Sequence, residues 1–235
     1  MLLLGSLRAE YEMQKDGVKN KLGYLSFWRR KEILSGNVPR FPTRRWWATE
    51  GLSEIENIYF DAIRKSESLL DFGAGNFRMF YKLKKAGYAG VYHTLDIGKE
   101  HEYDYTELSE VRRPYGAVLC LDVIEHLPLE EGLNLMTRLR DILLPGGILV
   151  IQTPNARCVR NPLSWDMTHV HCYNISDLWA YLTTLNMKVE GYRVVFGDSP
   201  RNPISLFGYI FRAFFITRVL GCDFADNIAL IARKE

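Results

Sequence analysis

Three aspartates in this 235-residue chain stand where short apolar runs end: Asp71 in Leu69-Leu70-Asp71-Phe72, Asp96 in Leu95-Asp96-Ile97 and Asp122 in Leu119-Cys120-Leu121-Asp122. A carboxylate at a strand end can accept hydrogen bonds from the hydroxyls of a ligand, and each one alone could equally cap a helix or close a turn. Together they mark one side of a sheet. His126 follows Asp122 closely, and Asp166-Met167-Thr168-His169-Val170-His171 adds two more histidines, side chains that can take a proton near neutrality. Directly after Asp71, Gly73 and Gly75 lack a Cβ, so the backbone can adopt positive φ, approach a ligand closely and turn its amides toward it. The chemistry these residues suit is the holding of a nucleotide-type cofactor beside a proton acceptor.

Such residues must be placed by regular elements. Ser68 to Phe72 reads as a short buried strand, breaking into the glycine turn and then a helix from Phe77 to Ala86 that Gly87 ends. A helix over Ser53 to Lys65 precedes it. Strands over Gly90 to Asp96, Gly116 to Asp122 and Gly147 to Gln152 follow, with a helix over Leu129 to Leu143 and a sharp turn at Leu144-Pro145-Gly146. Next come a helix over Ser176 to Leu185, capped by Ser176 and ended by Asn186, and a strand over Lys188 to Phe196. The last strand is Asn227 to Ala232. Strands alternating with helices predict a Rossmann-like, doubly wound α/β sheet, in which ligands bind beyond the carboxyl ends of the strands.

The bulk properties permit one large domain with extensions: 47% of residues are hydrophobic and 13% aromatic. The formal charge of +2 names no partner, but eight Lys or Arg against the single acid Glu32 crowd the stretch from Lys19 to Trp47. Residues 1 to 50 therefore read as a basic, aromatic, helical extension of a domain over 51 to 235. Cys120, Cys158, Cys172 and Cys222 show no C-x-x-C pairing, which favours reduced thiols and a cytoplasmic location. No run approaches the ~20 apolar residues of a membrane span. An apolar helical insertion occupies about 198 to 222; its Leu206 to Leu220 part, with Phe207, Ile210, Phe211, Phe214, Phe215 and Val219 beside Arg212 and Arg218, could rest on a membrane surface or pack as a core or lid helix.

Asp96 lies 21 residues after Gly75, a spacing at which its carboxylate can accept from both ribose hydroxyls of a cofactor. A pyrophosphate loop usually reads G-x-G-x-x-G, whereas Gly73-Ala74-Gly75-Asn76-Phe77-Arg78 puts an arginine at the third glycine position. At this point the chain resembles the class I S-adenosylmethionine-dependent methyltransferases over about residues 68 to 196. Leu70-Asp71-Phe72-Gly73-Ala74-Gly75 is similar to their first motif and Leu95-Asp96-Ile97 to their acidic strand end. Leu119 to Pro128 is similar to the fourth motif of the branch that holds ubiquinone-biosynthesis O-methyltransferases. Leu144 to Val150 with Thr153-Pro154-Asn155 resembles that branch's post-motif.

The resemblance implies a seven-stranded sheet, mostly parallel with an antiparallel last strand, and S-adenosylmethionine as cofactor. It implies cofactor contacts from Asp71, Phe72, Gly73, Ala74 and Gly75 toward the methionine end, Asp96 and Ile97 at the ribose, Asp104 and Tyr105 near adenine, and Asp122 and Val123 on the facing strand end. His126, His169 and His171 are the candidate bases for a hydroxyl acceptor. Asp122, Glu125 and His126, with a loop histidine to complete the set, offer a metal alternative, with Asp122 where relatives carry glutamate. The acceptor implied is a saccharide, a lipid-linked compound or another small molecule. Trp28-Arg29-Arg30-Lys31 and Arg44-Arg45-Trp46-Trp47 could bind its anionic groups or simply pack on the sheet. An RNA methyltransferase and a non-catalytic scaffold of the same fold are the competing readings.

Overall fold

The structure is a computed structural model that describes residues 39–46, 51–197 and 202–235. The Trp28-Arg29-Arg30-Lys31 cluster, Trp47 and the remainder of the expected helical extension lie outside the described residues. Seven strands form one sheet: β1 (Thr43–Trp46), β2 (Ser68–Phe72), β3 (Val91–Leu95), β4 (Tyr115–Leu121), β5 (Leu143–Pro154), β6 (Met187–Phe196) and β7 (Asn227–Lys234). Their spatial order is β1-β6-β7-β5-β4-β2-β3. Only β7 runs antiparallel, inserted between β5 and β6; the other neighbours are parallel.

The helices are α1 (Glu54–Ile63), α2 (Arg78–Lys85), α3 (Leu129–Asp141), α4 (Ile175–Thr184) and α5 (Pro203–Phe214). Successive residues of the central strands face opposite layers, which is why these strands read as continuous apolar runs. Leu69, Leu119 and Val150 pack with Ile55, Tyr59 and Ile63 of α1 and with Met79 and Leu83 of α2. Leu70, Val118 and Ile151 pack on the other side with Met136 and Leu139 of α3 and Leu178 and Leu182 of α4. The result is a three-layer sandwich.

Several elements differ from the sequence reading, each for a local reason. Thr43–Trp46, assigned to a helical extension, is an edge strand whose register with β6 runs from Thr43 opposite Arg193 to Trp46 opposite Phe196. The segment after β3 contributes only a parallel bridge between Leu95 and Tyr105, so the seventh strand of the sheet comes from the N-terminal side. Leu144-Pro145-Gly146 lies within β5, where the register with β4 shifts between Tyr115 and Ala117. The cap of α4 is Asn174, whose side chain accepts from the Asp177 amide, and Ser176 is inside the helix. Asn186 does take the left-handed conformation, φ 56°.

One buried acid ties the N-terminal elements to the glycine loop. Glu56, 1% exposed, completes a capping box with Ser53 at the start of α1. Its carboxylate also meets Arg78 at 2.6 Å and Lys82 at 2.7 Å, both on α2. The Arg78 guanidinium in turn lies 5.2 Å from the Trp46 ring of β1. Burial alone would raise the Glu56 carboxyl, but Lys82, the Ser53 amide and Arg78 overcome it and hold it below the ordinary glutamate value. A depressed carboxyl stabilises the fold above its unfolded value, and that contribution is lost as pH falls through the folded value. Glu56→Ala is expected to cost about 1–3 kcal/mol in denaturant unfolding at neutral pH, since Arg78 and Lys82 can partly rehydrate. The difference from the unsubstituted protein should narrow as the pH is lowered into the carboxylate range.

Candidate active site

The strand order reverses between β2 and β4, and the cleft opens at the carboxyl ends of these two strands. The two ends touch. Gly73 has φ 80°, and a Cβ placed on it would stand 2.3 Å from Cγ2 of Val123 just beyond β4, so glycine is required there on both counts. Gly75, φ 48°, has nothing within 4 Å of a Cβ position and is exposed at the mouth of the loop. Phe77 also has positive φ, 60°, strained for an aromatic residue, and so α2 starts one residue later than its sequence pattern indicates, at Arg78.

The loop amides do not point at a ligand as the glycine pattern predicts. Gly73 and Ala74 both donate to the Leu95 carbonyl, at 2.8 and 3.2 Å, and Gly75 donates to Oδ2 of Asp96 at 2.8 Å. With all three spent inside the protein, the loop is no phosphate cradle. Asp96 accepts from the Gly98 amide on its other oxygen, also at 2.8 Å, and each oxygen keeps a second lone pair. Beside it Ile97 is 86% exposed, an apolar surface next to two available acceptor sites. Tyr103 closes over the loop, donating from its hydroxyl to the Gly75 carbonyl at 2.9 Å, with its ring 5.3 Å from that of Phe77.

The remaining candidates divide by what they touch. Asp71 is buried and accepts from the Tyr92 hydroxyl at 2.6 Å; burial pushes its carboxyl up to about 6, against the pull of that hydrogen bond and of Arg78. Phe72 is half-buried and Ala74 buried beneath the loop. Asp104 has one oxygen committed to Thr94, accepting from its amide at 2.7 Å and its hydroxyl at 2.9 Å. Tyr105 bridges β3 and turns its ring toward His93, 5.8 Å away. Asp122 adopts φ 55° and opens to the cleft, its carboxylate held from behind by Nε2 of Gln152 at 2.9 Å and Nδ2 of Asn227 at 3.2 Å. Gln152 is itself oriented by the buried Tyr59 hydroxyl at 2.9 Å. The protein packed around Asp122 raises its carboxyl, opposed by Gln152 and Arg78.

Two of the three histidines meet at the end of β4. The His126 and His169 rings are 4.9 Å apart and edge to face, whereas His171 packs on Tyr173 at 4.7 Å, and burial lowers its pKa. Hydrogen-bond partners assign the tautomers. Nδ1 of His169 lies 2.9 Å from the Pro162 carbonyl, which can only accept, so the proton is on Nδ1. Nδ1 of His126 faces the Thr168 carbonyl at 3.3 Å and the Thr168 hydroxyl at 2.9 Å. That hydroxyl donates to Asp166 at 2.7 Å, and the bonds from Thr168 hold the Asp166 carboxyl below its ordinary value. His126 therefore donates from Nδ1 and keeps the lone pair of Nε2. The motif search singled out the loop but gave Thr168 and Asp166 no role.

Glu125, His126 and His169 also bring one ligand atom each within 4.8 Å of the others, a donor set that could take a divalent cation. Asp122, expected in that set, is engaged by Gln152 and Asn227 instead, and His169 is the loop histidine that completes it. Glu125 is buried and accepts from the Thr153 hydroxyl at 2.9 Å; burial and then Asp122 push its carboxyl up to about 8.

The donor chemistry suits a cationic, pyrophosphate-free cofactor: acids converge on the cleft, the amides of Gly73, Ala74 and Gly75 are all spent inside the protein, and Asp96 retains lone pairs that hydroxyls could fill. A family model described as a methyltransferase domain matches residues 47–190, more than half of the chain. No curated protein matches the sequence. Among solved structures, the chain is similar to a SAM-dependent methyltransferase from Archaeoglobus fulgidus, at 16% identity over 76% of this chain and 90% of that one, TM-score 0.59. It is also similar to the plantazolicin methyltransferase BpumL solved with SAH, at 16% identity over 76% and 80%, TM-score 0.51. The [4+2]-cyclase SpnF aligns over 94% of both chains at 15% identity, TM-score 0.52. At these identities the structures speak for the fold, and the family match for the class. The chain belongs to the methyltransferase domain family and is a class I methyltransferase dependent on S-adenosylmethionine.

Proposed function

We propose that the protein methylates a hydroxyl group on a saccharide, a lipid-linked compound or another small molecule, with His126 as general base. The observation that carries this reading is the chain of hydrogen bonds from Asp166 through Thr168 to Nδ1 of His126, which leaves Nε2 ready to accept a proton. Bound S-adenosylmethionine supplies an electrophilic methyl group, displaced in line from sulfur to the acceptor oxygen. Asp96 and Ile97 would receive the ribose and the adjoining face of the cofactor. Gly73, Ala74 and Gly75, backed by Asp71 and Phe72, would lie along its methionine end, and Tyr105 near adenine. Asp104 reaches that region with only its second oxygen. On the facing wall, Asp122 and Val123 would border the charged end of the cofactor, where a carboxylate favours a cation.

The proton of the acceptor hydroxyl would pass to Nε2 of His126, and the imidazolium so formed is stabilised through Thr168 by Asp166. His169 stands beside it, its ring held by the Pro162 carbonyl. The four cysteines are free, which suits a cytoplasmic enzyme. In a second reading, favoured by the clustering of Glu125, His126 and His169, the same side chains hold a divalent cation that binds the acceptor oxygen.

His126→Ala is expected to lower kcat by about 10²–10⁴ while cofactor affinity is kept. Thr168→Val should lower kcat and distort its pH profile, because Nδ1 loses its hydroxyl partner, and Thr168→Ser should restore both. Steady-state kinetics with calorimetric cofactor binding checks this. Full activity in His126→Ala would move the base to His169, and turnover abolished by a chelator and restored by manganese would establish the cation reading.

A further inference from the structure

The insertion between β6 and β7 forms α5, 12 residues long, continued by a π-helical turn over Phe215–Val219. Most of its side chains are large and apolar, yet they stand exposed. Ile204 is 85% exposed, Phe207 72%, Phe211 60% and Phe214 60%. Phe207, Phe211 and Phe215 stack along one side at successive turns, with centroids 6.5 and 6.4 Å apart. The opposite side meets the protein body: Tyr209 packs edge-on against Phe224 at 5.0 Å, the Arg212 guanidinium lies 5.1 Å from that same ring, and the Arg45 guanidinium lies 4.9 Å from Tyr209.

The charge around this face is one-sided. No Asp or Glu occurs from Asn202 to Cys222; Arg218 lies beside the aromatic ladder, and Arg212 adds a second positive charge from its place over Phe224. The acids that follow are already paired, Asp223 with Arg193 at 3.2 Å and Asp226 with Arg160 at 2.8 Å. The placement is equally specific. Because β6 runs parallel to β5 in the sheet, its exit at Phe196 and the entry of β7 at Asn227 lie at the carboxyl end, the end that carries the glycine loop and the histidines. The exit of the insertion is fastened to the histidine loop, with the Asp223 amide donating to the Arg157 carbonyl at 2.7 Å.

We propose that α5 and its π turn lie flat on an anionic bilayer, with the aromatic ladder at the headgroup boundary and Arg218 on lipid phosphates, and that the acceptor is an amphiphile drawn from that surface. A convex aromatic face with a basic flank and no acid is the pattern of an interfacial helix. No helix among the described residues is long and apolar enough to cross a membrane, so the contact is a surface one. The docking stands on the helix alone; the acceptor clause rests on the methyl-transfer reading.

The test is sedimentation of the full chain with vesicles of phosphatidylcholine alone and of phosphatidylcholine mixed with phosphatidylglycerol. The chain should sediment with the anionic vesicles, less so as salt is raised. The double substitution Phe207→Ser and Phe211→Ser should reduce binding by at least about tenfold, since two exposed rings lose their lipid contact. Arg218→Glu should weaken binding to the anionic vesicles only. All of these side chains are on the surface, and calorimetric binding of S-adenosylmethionine confirms that each variant is folded. A cofactor-binding chain that stays in solution with both kinds of vesicle would overturn the proposal. So would a dimer, seen by light scattering, that the double phenylalanine variant splits, because a second copy would then own the face. Vesicle binding without S-adenosylmethionine binding would uphold the docking and remove the acceptor clause.

Discussion

Asp96 accepts one backbone hydrogen bond on each carboxylate oxygen, from Gly75 and from Gly98, and so joins the glycine loop to the end of β3. The rest of the cleft follows from this clasp. With the Gly75 amide turned to Asp96 and those of Gly73 and Ala74 turned to Leu95, the loop folds back on the sheet and leaves an acidic, amide-poor mouth. The close approach of Gly73 to Val123 then sets the spacing between the loop and the β4 end, which carries Asp122, Glu125 and His126. A pyrophosphate would meet carboxylates and three spent amides in such a site, whereas a sulfonium with a ribose would meet complementary charge and acceptors.

Much of this frame is legible in the amino-acid order, because the central strands are buried on both faces and so appear as unbroken apolar runs ending in acids. Gly73, Gly75, Asp96 and Asp122 stand out for that reason. Thr43–Trp46 does not, since an edge strand of four residues with two arginines carries neither the apolar run nor a clear alternation. The direction of the loop amides was also hidden: a glycine pattern states that positive φ is allowed, not which acceptor will capture each N–H. Asp104 reads as a ligand contact by type and position, but its tie to Thr94 is made across the chain and has no local signature.

The relay behind His126 is hidden for the same reason. Thr168 and Asp166 are neighbours on a loop, and only folding brings them to a histidine 42 residues away. Sequence separates the three histidines poorly, whereas the tertiary structure pairs His126 with His169 and turns His171 onto Tyr173. These side chains matter more than the fold in deciding the reaction, as the likeness to a structure named as a [4+2]-cyclase illustrates: one framework, different chemistry. Here the framework supplies a cofactor cleft, and the loop after β5 brings Thr168 and Asp166 to His126 at its edge.

On this geometry, Asp96 and the inward-turned glycine loop would select S-adenosylmethionine over a dinucleotide. Isothermal titration of the full chain with S-adenosylmethionine and with NAD, repeated on Asp96→Ala, checks this. Binding of S-adenosylmethionine, none of NAD, and affinity lowered by at least about tenfold in the variant are expected, since the variant would lose both the proposed ribose acceptor and the loop clasp. Binding of NAD in place of S-adenosylmethionine, or an unchanged affinity in Asp96→Ala, would contradict it.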